Sequence, residues 1–230
     1  MARGIAHWMT AVALSGAIFC VAGAIGRSVS AQVVVDRVVA RVEGDILLLS
    51  EVRELGQFQQ LADGQSEPQA KRLDELIDQW IIEHEAQAAL FSQPTDADVN
   101  AEMQHLQTEF GGADALEKRM KEIDFSPDAL KRQVRREVYF ARYLEYKFRP
   151  MAQVDAAAEQ KYYDTEFTEQ MKARGQQAPP FDQVRTKIHE LLVQQEISSL
   201  ADDWLAESRK RLKIEVLPDA QSGAGATGKQ

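Results

Sequence analysis

The sequence predicts a mainly α fold with a small antiparallel β-sheet: an N-terminal hairpin joined by a C-terminal strand, and a helical body of about six helices. Three observations lead there. Aliphatic and β-branched runs flank Glu43-Gly44-Asp45, where Gly44 can take a positive φ, so residues 33–49 read as a β-hairpin. Apolar residues then recur at helical spacing, most clearly Leu73, Leu76, Ile77, Trp80, Ile81, His84, Ala88 and Phe91. Near the end, Lys213-Ile214-Glu215-Val216-Leu217 alternates as a strand does. A lone two-stranded hairpin is marginal in water, so this last strand is expected to join it as a third.

The helices follow in order. Ser50 stands where an N-cap belongs and Glu51 suits a first turn, so a short helix is expected to run to about Leu61. Residues 62–66 read as a loop before the long apolar stripe of the second helix. Thr95-Asp96-Ala97-Asp98 resembles a capping box with Asp in place of Glu, and opens a helix that Gly111-Gly112 stops. A short helix spans Asp114 to Ile123. Ser126-Pro127 pairs an N-cap with proline at the first helical position, and that helix runs to Phe148 before Arg149-Pro150 ends it. A more polar helix covers Val154 to about Lys172, and residues 175–180 form a linker. The last helix begins at Phe181 and changes its apolar face partway. Val184, Ile188, Leu191 and Leu192 lie nearly opposite Ile197, Leu200, Ala201 and Trp204, which calls for protein on both sides.

The first 31 residues read as a secretory signal peptide. Arg3 and His7 precede an uncharged stretch from Trp8 to Ile25, and Val29-Ser30-Ala31 offers a cleavage site before Gln32. The alternative is an uncleaved inner-membrane anchor, since that stretch is near the lower length limit for crossing a bilayer. Residues 218–230 are rich in Gly, Ala and Ser and are expected to be a disordered tail, leaving 32–217 as the domain. Cys20, the one cysteine, would leave with the signal, so no disulfide and no cysteine metal site is expected. Loss of Arg3 and Arg27 takes the formal charge from −9 to −11, which disfavours nucleic acid as a partner.

The order of elements carries a resemblance. Residues 35–47 (Val35-Asp36-Arg37-Val38-Val39-Ala40-Arg41-Val42-Glu43-Gly44-Asp45-Ile46-Leu47), followed by Ser50-Glu51-Val52, look like the opening of the SurA-type periplasmic chaperone family. Phe110-Gly111-Gly112, Leu116 and Phe125-Ser126-Pro127-Asp128-Ala129-Leu130 are similar to that family's middle helices. Val154-Asp155 and Tyr162-Tyr163-Asp164 resemble the segment that leads into its parvulin isomerase domain. Phe181-Asp182-Gln183-Val184 through Ile188, and Trp204-Leu205 to Ile214, resemble its closing helix and strand. The resemblance implies an ATP-independent periplasmic holdase for unfolded exported or outer-membrane proteins. About thirty residues separate Pro150 from Phe181, whereas a parvulin domain needs roughly three times that. Prolyl isomerase activity is therefore not carried over, and no enzyme activity is expected.

Motifs for other chemistry are incomplete. His84-Glu85-Ala86-Gln87-Ala88 begins like a zinc-protease helix, but Ala88 stands where the second histidine belongs, and His84 is expected to be a hydrogen-bonded core residue. Gly223 to Lys229 imitates a phosphate loop with no helix behind it. No cofactor or metal is expected.

A holdase needs exposed apolar surface that tolerates many sequences. Met103 and Met120, with Met171, are candidates for such a surface, along with Phe110 and Phe125; the alternative is ordinary core packing. Tyr139, Tyr143 and Tyr146 lie on the face opposite Leu130, Val134, Val138, Ala141 and Phe148. They either line a client groove or pack against the closing helix. Lys131, Arg132, Arg135 and Arg136 form a solvated face or steer acidic client segments. The rival function is a dedicated envelope assembly partner, or a homodimer formed by exchange at the terminal sheet.

Overall fold

The computed structural model describes residues 36–218. The expected signal peptide, residues 33–35 of the hairpin and residues 219–230 of the tail lie outside the described residues.

Strands β1 (Val38–Val42) and β2 (Asp45–Leu48) are joined by the two residues Glu43 and Gly44. Both have positive φ, 52° and 99°, as the right-handed twist of a two-residue hairpin demands. The third strand β3 (Ile214–Val216) pairs antiparallel with β1, giving the order β2-β1-β3. The predicted closure of the sheet by the C-terminal strand is therefore present. Its start is stitched to the hairpin turn: Glu43 N–H donates to the Lys213 carbonyl (3.0 Å), and Lys213 N–H donates to the Glu43 carboxylate (2.6 Å).

The helices are α1 (Leu49–Asp63), α2 (Gln69–Ala88), α3 (Asp96–Glu109), α4 (Ala113–Glu122), α5 (Pro127–Phe148), α6 (Ala156–Tyr162), α7 (Thr168–Ala173) and α8 (Phe181–Arg211). A π-helical turn, Tyr163–Phe167, joins α6 to α7 without a break. Among the described residues these make seven helical rods, one for each helical segment read from the sequence in a body expected to hold about six, and the mainly α class with its small sheet holds. The segment between Pro150 and Phe181 is occupied by the α6–α7 rod and its linkers.

Local chemistry explains several helix starts. Thr95 Oγ1 accepts from Asp98 N–H (3.2 Å) while the Asp98 carboxylate accepts from Thr95 N–H (2.9 Å), completing the predicted box. Ser126 Oγ accepts from Ala129 N–H (3.1 Å) ahead of Pro127. At α1 the prediction fails by two residues. Leu48 is the N-cap, its N–H donating to Glu51 (2.7 Å), and Ser50 lies inside the first turn. There Ser50 N–H (3.2 Å) and its hydroxyl both donate to Asp36, so the capping oxygen comes from a residue across the hairpin.

Four apolar clusters hold these elements. The first joins the sheet to α1 and α2 through Val42, Leu47, Val52, Leu73, Ile77 and Ile81, with Trp204, Leu205 and Ile214 packed on it. The second joins the end of α1 to α3, α4 and α5. The third sets Ile82 and Ala86 of α2 against Tyr139, Phe140 and Tyr143 of α5. The fourth sets Phe148 against Val193, Ile197 and Ala201 of α8. Each fully buried large side chain contributes roughly 1.5–3 kcal/mol. Gly56 leaves room on α1 for the Arg72 side chain of α2, whose guanidinium a Cβ there would meet. Among the described residues, no helix is long and apolar enough to cross a membrane.

Candidate functional site

Most of the residues predicted to form a client surface serve the cores instead. Met120 and Phe125 are buried in the second cluster, with Met103 and Phe110 packed against it. The apolar faces of α3 and α4 close over the start of α5, which consumes these side chains. Tyr139 and Tyr143 are buried in the third cluster, and burial pushes both phenols above their ordinary values. They face α2, with Trp204 and Leu205 of α8 packed alongside, so the second helix covering them is α2 before the closing helix. Of the seven, Tyr146 alone is exposed, at 65%. The arginine run is also committed to structure: Arg132 pairs with Glu54 (2.9 Å), Arg135 with Asp96 (2.5 Å), and Arg136 reaches Gln79 (3.4 Å).

Around Tyr146 the structure assembles an aromatic site that begins at the end of α2. Leu90 N–H donates to the Gln87 carbonyl and Phe91 N–H to the Ala86 carbonyl, both 2.9 Å, the bond pattern that usually ends a helix with glycine. Leu90 occupies the glycine place. Its φ is 52°, and its side chain is 90% exposed. A left-handed conformation costs a non-glycine residue roughly 1–2 kcal/mol, and this leucine recovers none of it by burial. The turn returns Phe91 onto α5, where its ring meets Tyr139 (5.8 Å), Tyr143 (5.5 Å) and Tyr146 (5.3 Å). Tyr139 hydroxyl donates to the Phe91 carbonyl (3.3 Å) and fixes the turn. The exposed Tyr146 thus meets Phe91 beside two buried tyrosines, and the exposed Leu90 immediately precedes Phe91 in the chain. Lys147 borders it, over the Trp204 ring at 4.6 Å and 3.8 Å from Glu85.

Two features lie elsewhere. His84, predicted to be a core histidine, is exposed and stacks on Trp80 with centroids 4.8 Å apart. The α2 members of the sheet cluster end at Ile81, and His84 belongs to none of the buried clusters. The stack walls a cleft of about 380 Å³ between α2 and β2. At the other end of the chain, the Glu159 side chain of α6 is 6% exposed and accepts from Arg185 Nε (2.7 Å) and lies 2.8 Å from His189 Nδ1, both on α8. The Arg185 bond, then the His189 bond, holds this carboxyl below its ordinary value.

No family model matches the chain, and no curated protein matches it. Among solved structures, a chain from the work on PEB4 and Cj1289, two structurally related SurA-like chaperones of Campylobacter jejuni, is similar to it. The likeness has a TM-score of 0.48 and 11% identity, covering 79% of this chain and 99% of that one.

Proposed function

We propose that this protein is an ATP-independent periplasmic holdase, exported by its N-terminal signal, that binds unfolded exported or outer-membrane polypeptides and carries out no catalysis on them. The observation that carries the reading is Leu90, a bulky apolar side chain kept in a strained backbone conformation and offered to solvent, next in the chain to Phe91, whose ring meets the exposed Tyr146. Strain without burial is a feature that stability alone does not maintain. The family resemblance in the sequence supports the same reading. Micromolar affinity, about −8 kcal/mol, suffices for holding and permits release without nucleotide.

The test is light scattering from a chemically unfolded outer-membrane protein diluted into buffer, with and without this protein. Near-stoichiometric suppression without ATP is the expected result. Leu90→Gly should weaken that suppression while raising stability by about 0.5–1 kcal/mol in denaturant titration, because the strain is relieved. Absence of suppression by the wild type would sink the holdase and favour a dedicated envelope partner or a homodimer.

A further inference from the structure

We infer that the cleft between β2 and α2 is a second client subsite, which takes an extended segment as an added strand on β2 and seats a cationic side chain, Lys or Arg, against the Trp80–His84 stack. This rests on the holdase reading and names the segment chemistry that one of its surfaces selects.

The register supplies the first argument. Val42 pairs with Asp45, Arg41 with Ile46 and Ala40 with Leu47, and the same β1 residues Val42 and Arg41 pair with Ile214 and Glu215 of β3. Bonds from Glu43 N–H to Lys213 and from Leu217 N–H to Val39 show that the odd-numbered residues of β1 turn their backbone groups toward β3. Antiparallel strands alternate bonded and non-bonded pairs. Arg41 and Ile46 are therefore a non-bonded pair, and Ile46 directs its N–H and C=O off the open edge of the sheet. Two residues on, Leu48 N–H is taken by Glu51 and the chain enters α1. The edge is thus a single donor–acceptor pair, beside an Ile46 side chain 52% exposed. Such an edge is a template for one extended residue of another chain.

Charge supplies the second argument. Asp45, Glu51 and Glu83 line the cleft together with Trp80, His84 and Leu47. Neither Lys nor Arg is among the described residues that line it. The carboxylates are positioned by bonds to one oxygen each: Trp80 Nε1 donates to Asp45 (3.1 Å), Leu48 N–H to Glu51 (2.7 Å) and Gln87 to Glu83 (3.2 Å). The stem of a Lys or Arg can lie along the stacked rings while its head reaches the free oxygens. An acidic segment meets three like charges instead.

The experiment is fluorescence anisotropy with the full protein and two labelled ten-residue peptides, identical except for Arg-Val-Arg or Glu-Val-Glu at the centre. The Arg peptide is expected to bind about tenfold tighter at low salt, with the ratio shrinking toward about twofold at 0.5 M salt. N-methylation of the central valine should weaken it further by removing a strand bond. Glu83→Lys, checked for folding by circular dichroism, should erase the preference for Arg. Equal binding of the two peptides by a wild type that still suppresses aggregation would overturn the cleft and leave the holdase standing. A preference for Arg untouched in folded Glu83→Lys would overturn it as well. Loss of both peptide binding and aggregation suppression would remove both readings.

Discussion

Helix α8 does two different jobs in its two halves. Its C-terminal half is held by apolar burial from several directions. Trp204 packs on the first, third and fourth clusters, its ring is 5.7 Å from Phe148, and Arg209 further along pairs with Asp78 at 2.6 Å. Its N-terminal half meets the α6–α7 rod, and there the chief tie is polar: a buried Glu159 between Arg185 and His189, flanking the buried Ile188. Aromatic contacts of Tyr163 with Phe167 (5.7 Å) and Phe181 (5.3 Å) complete that attachment. One continuous helix therefore links a region held by several shared hydrophobic clusters to a region held by a charge cluster, an aromatic trio and the buried Tyr162 and Ile188, which belong to none of those clusters. Regions of the second kind open locally before the whole molecule unfolds.

Substitutions along α8 test this contrast. Trp204→Ala removes a side chain common to three clusters and should cost about 3–4 kcal/mol, read as a lowered midpoint in chemical denaturation. A loss below about 1 kcal/mol would show that the C-terminal half is no better anchored than the other. Ile188→Ala also deletes a buried side chain, but from the half expected to open locally. Its effect on the global midpoint should be less than half as large, while amide exchange in residues 156–173 accelerates.

Acidification, compared between the wild type and a Glu159 variant, probes the charge cluster. The Glu159 carboxyl is held below its ordinary value of 4.5, so the unfolded or detached state takes up the proton first. Its contribution is complete above the ordinary value and is lost as pH falls through the lowered one. Exchange protection of residues 156–173, measured against that of α2, should therefore decline on acidification below about 4.5. Glu159→Gln should show the reduced protection already at neutral pH and little further change on acidification. Identical profiles for the two proteins would mean that aromatic packing holds the rod by itself.

What was legible in the sequence follows the same division. Signals confined to a few consecutive residues came through: the Thr95–Asp98 box, the Ser126–Pro127 start, and the Gly44 turn. The closing strand was legible too, because a hairpin that cannot stand alone requires a partner. Interactions between distant residues carried no local mark. Asp36 serving α1 across the hairpin, and Glu159 joining α6 to α8, pair residues whose types are ordinary on any solvated helix. Periodicity places the tyrosines of α5 on one face, but it cannot say that α2 and the returning Phe91 bury two of the three. His84 fitted a core stripe by spacing alone, but it lines the open cleft between α2 and β2 and stays exposed. Leu90 was unreadable for a different reason: the place it occupies is usually marked by glycine, so the helix end showed no signal there.

The pairing of β1 with β3 also sets an order of events. The hairpin and each helix hairpin can form from neighbouring residues, but residue 42 meets residue 214 only after everything between them is available. Such a long closure is slow relative to local structure. Until it happens, β1 offers an unpaired side to any extended chain, and the molecule's own last strand is the first competitor for that position.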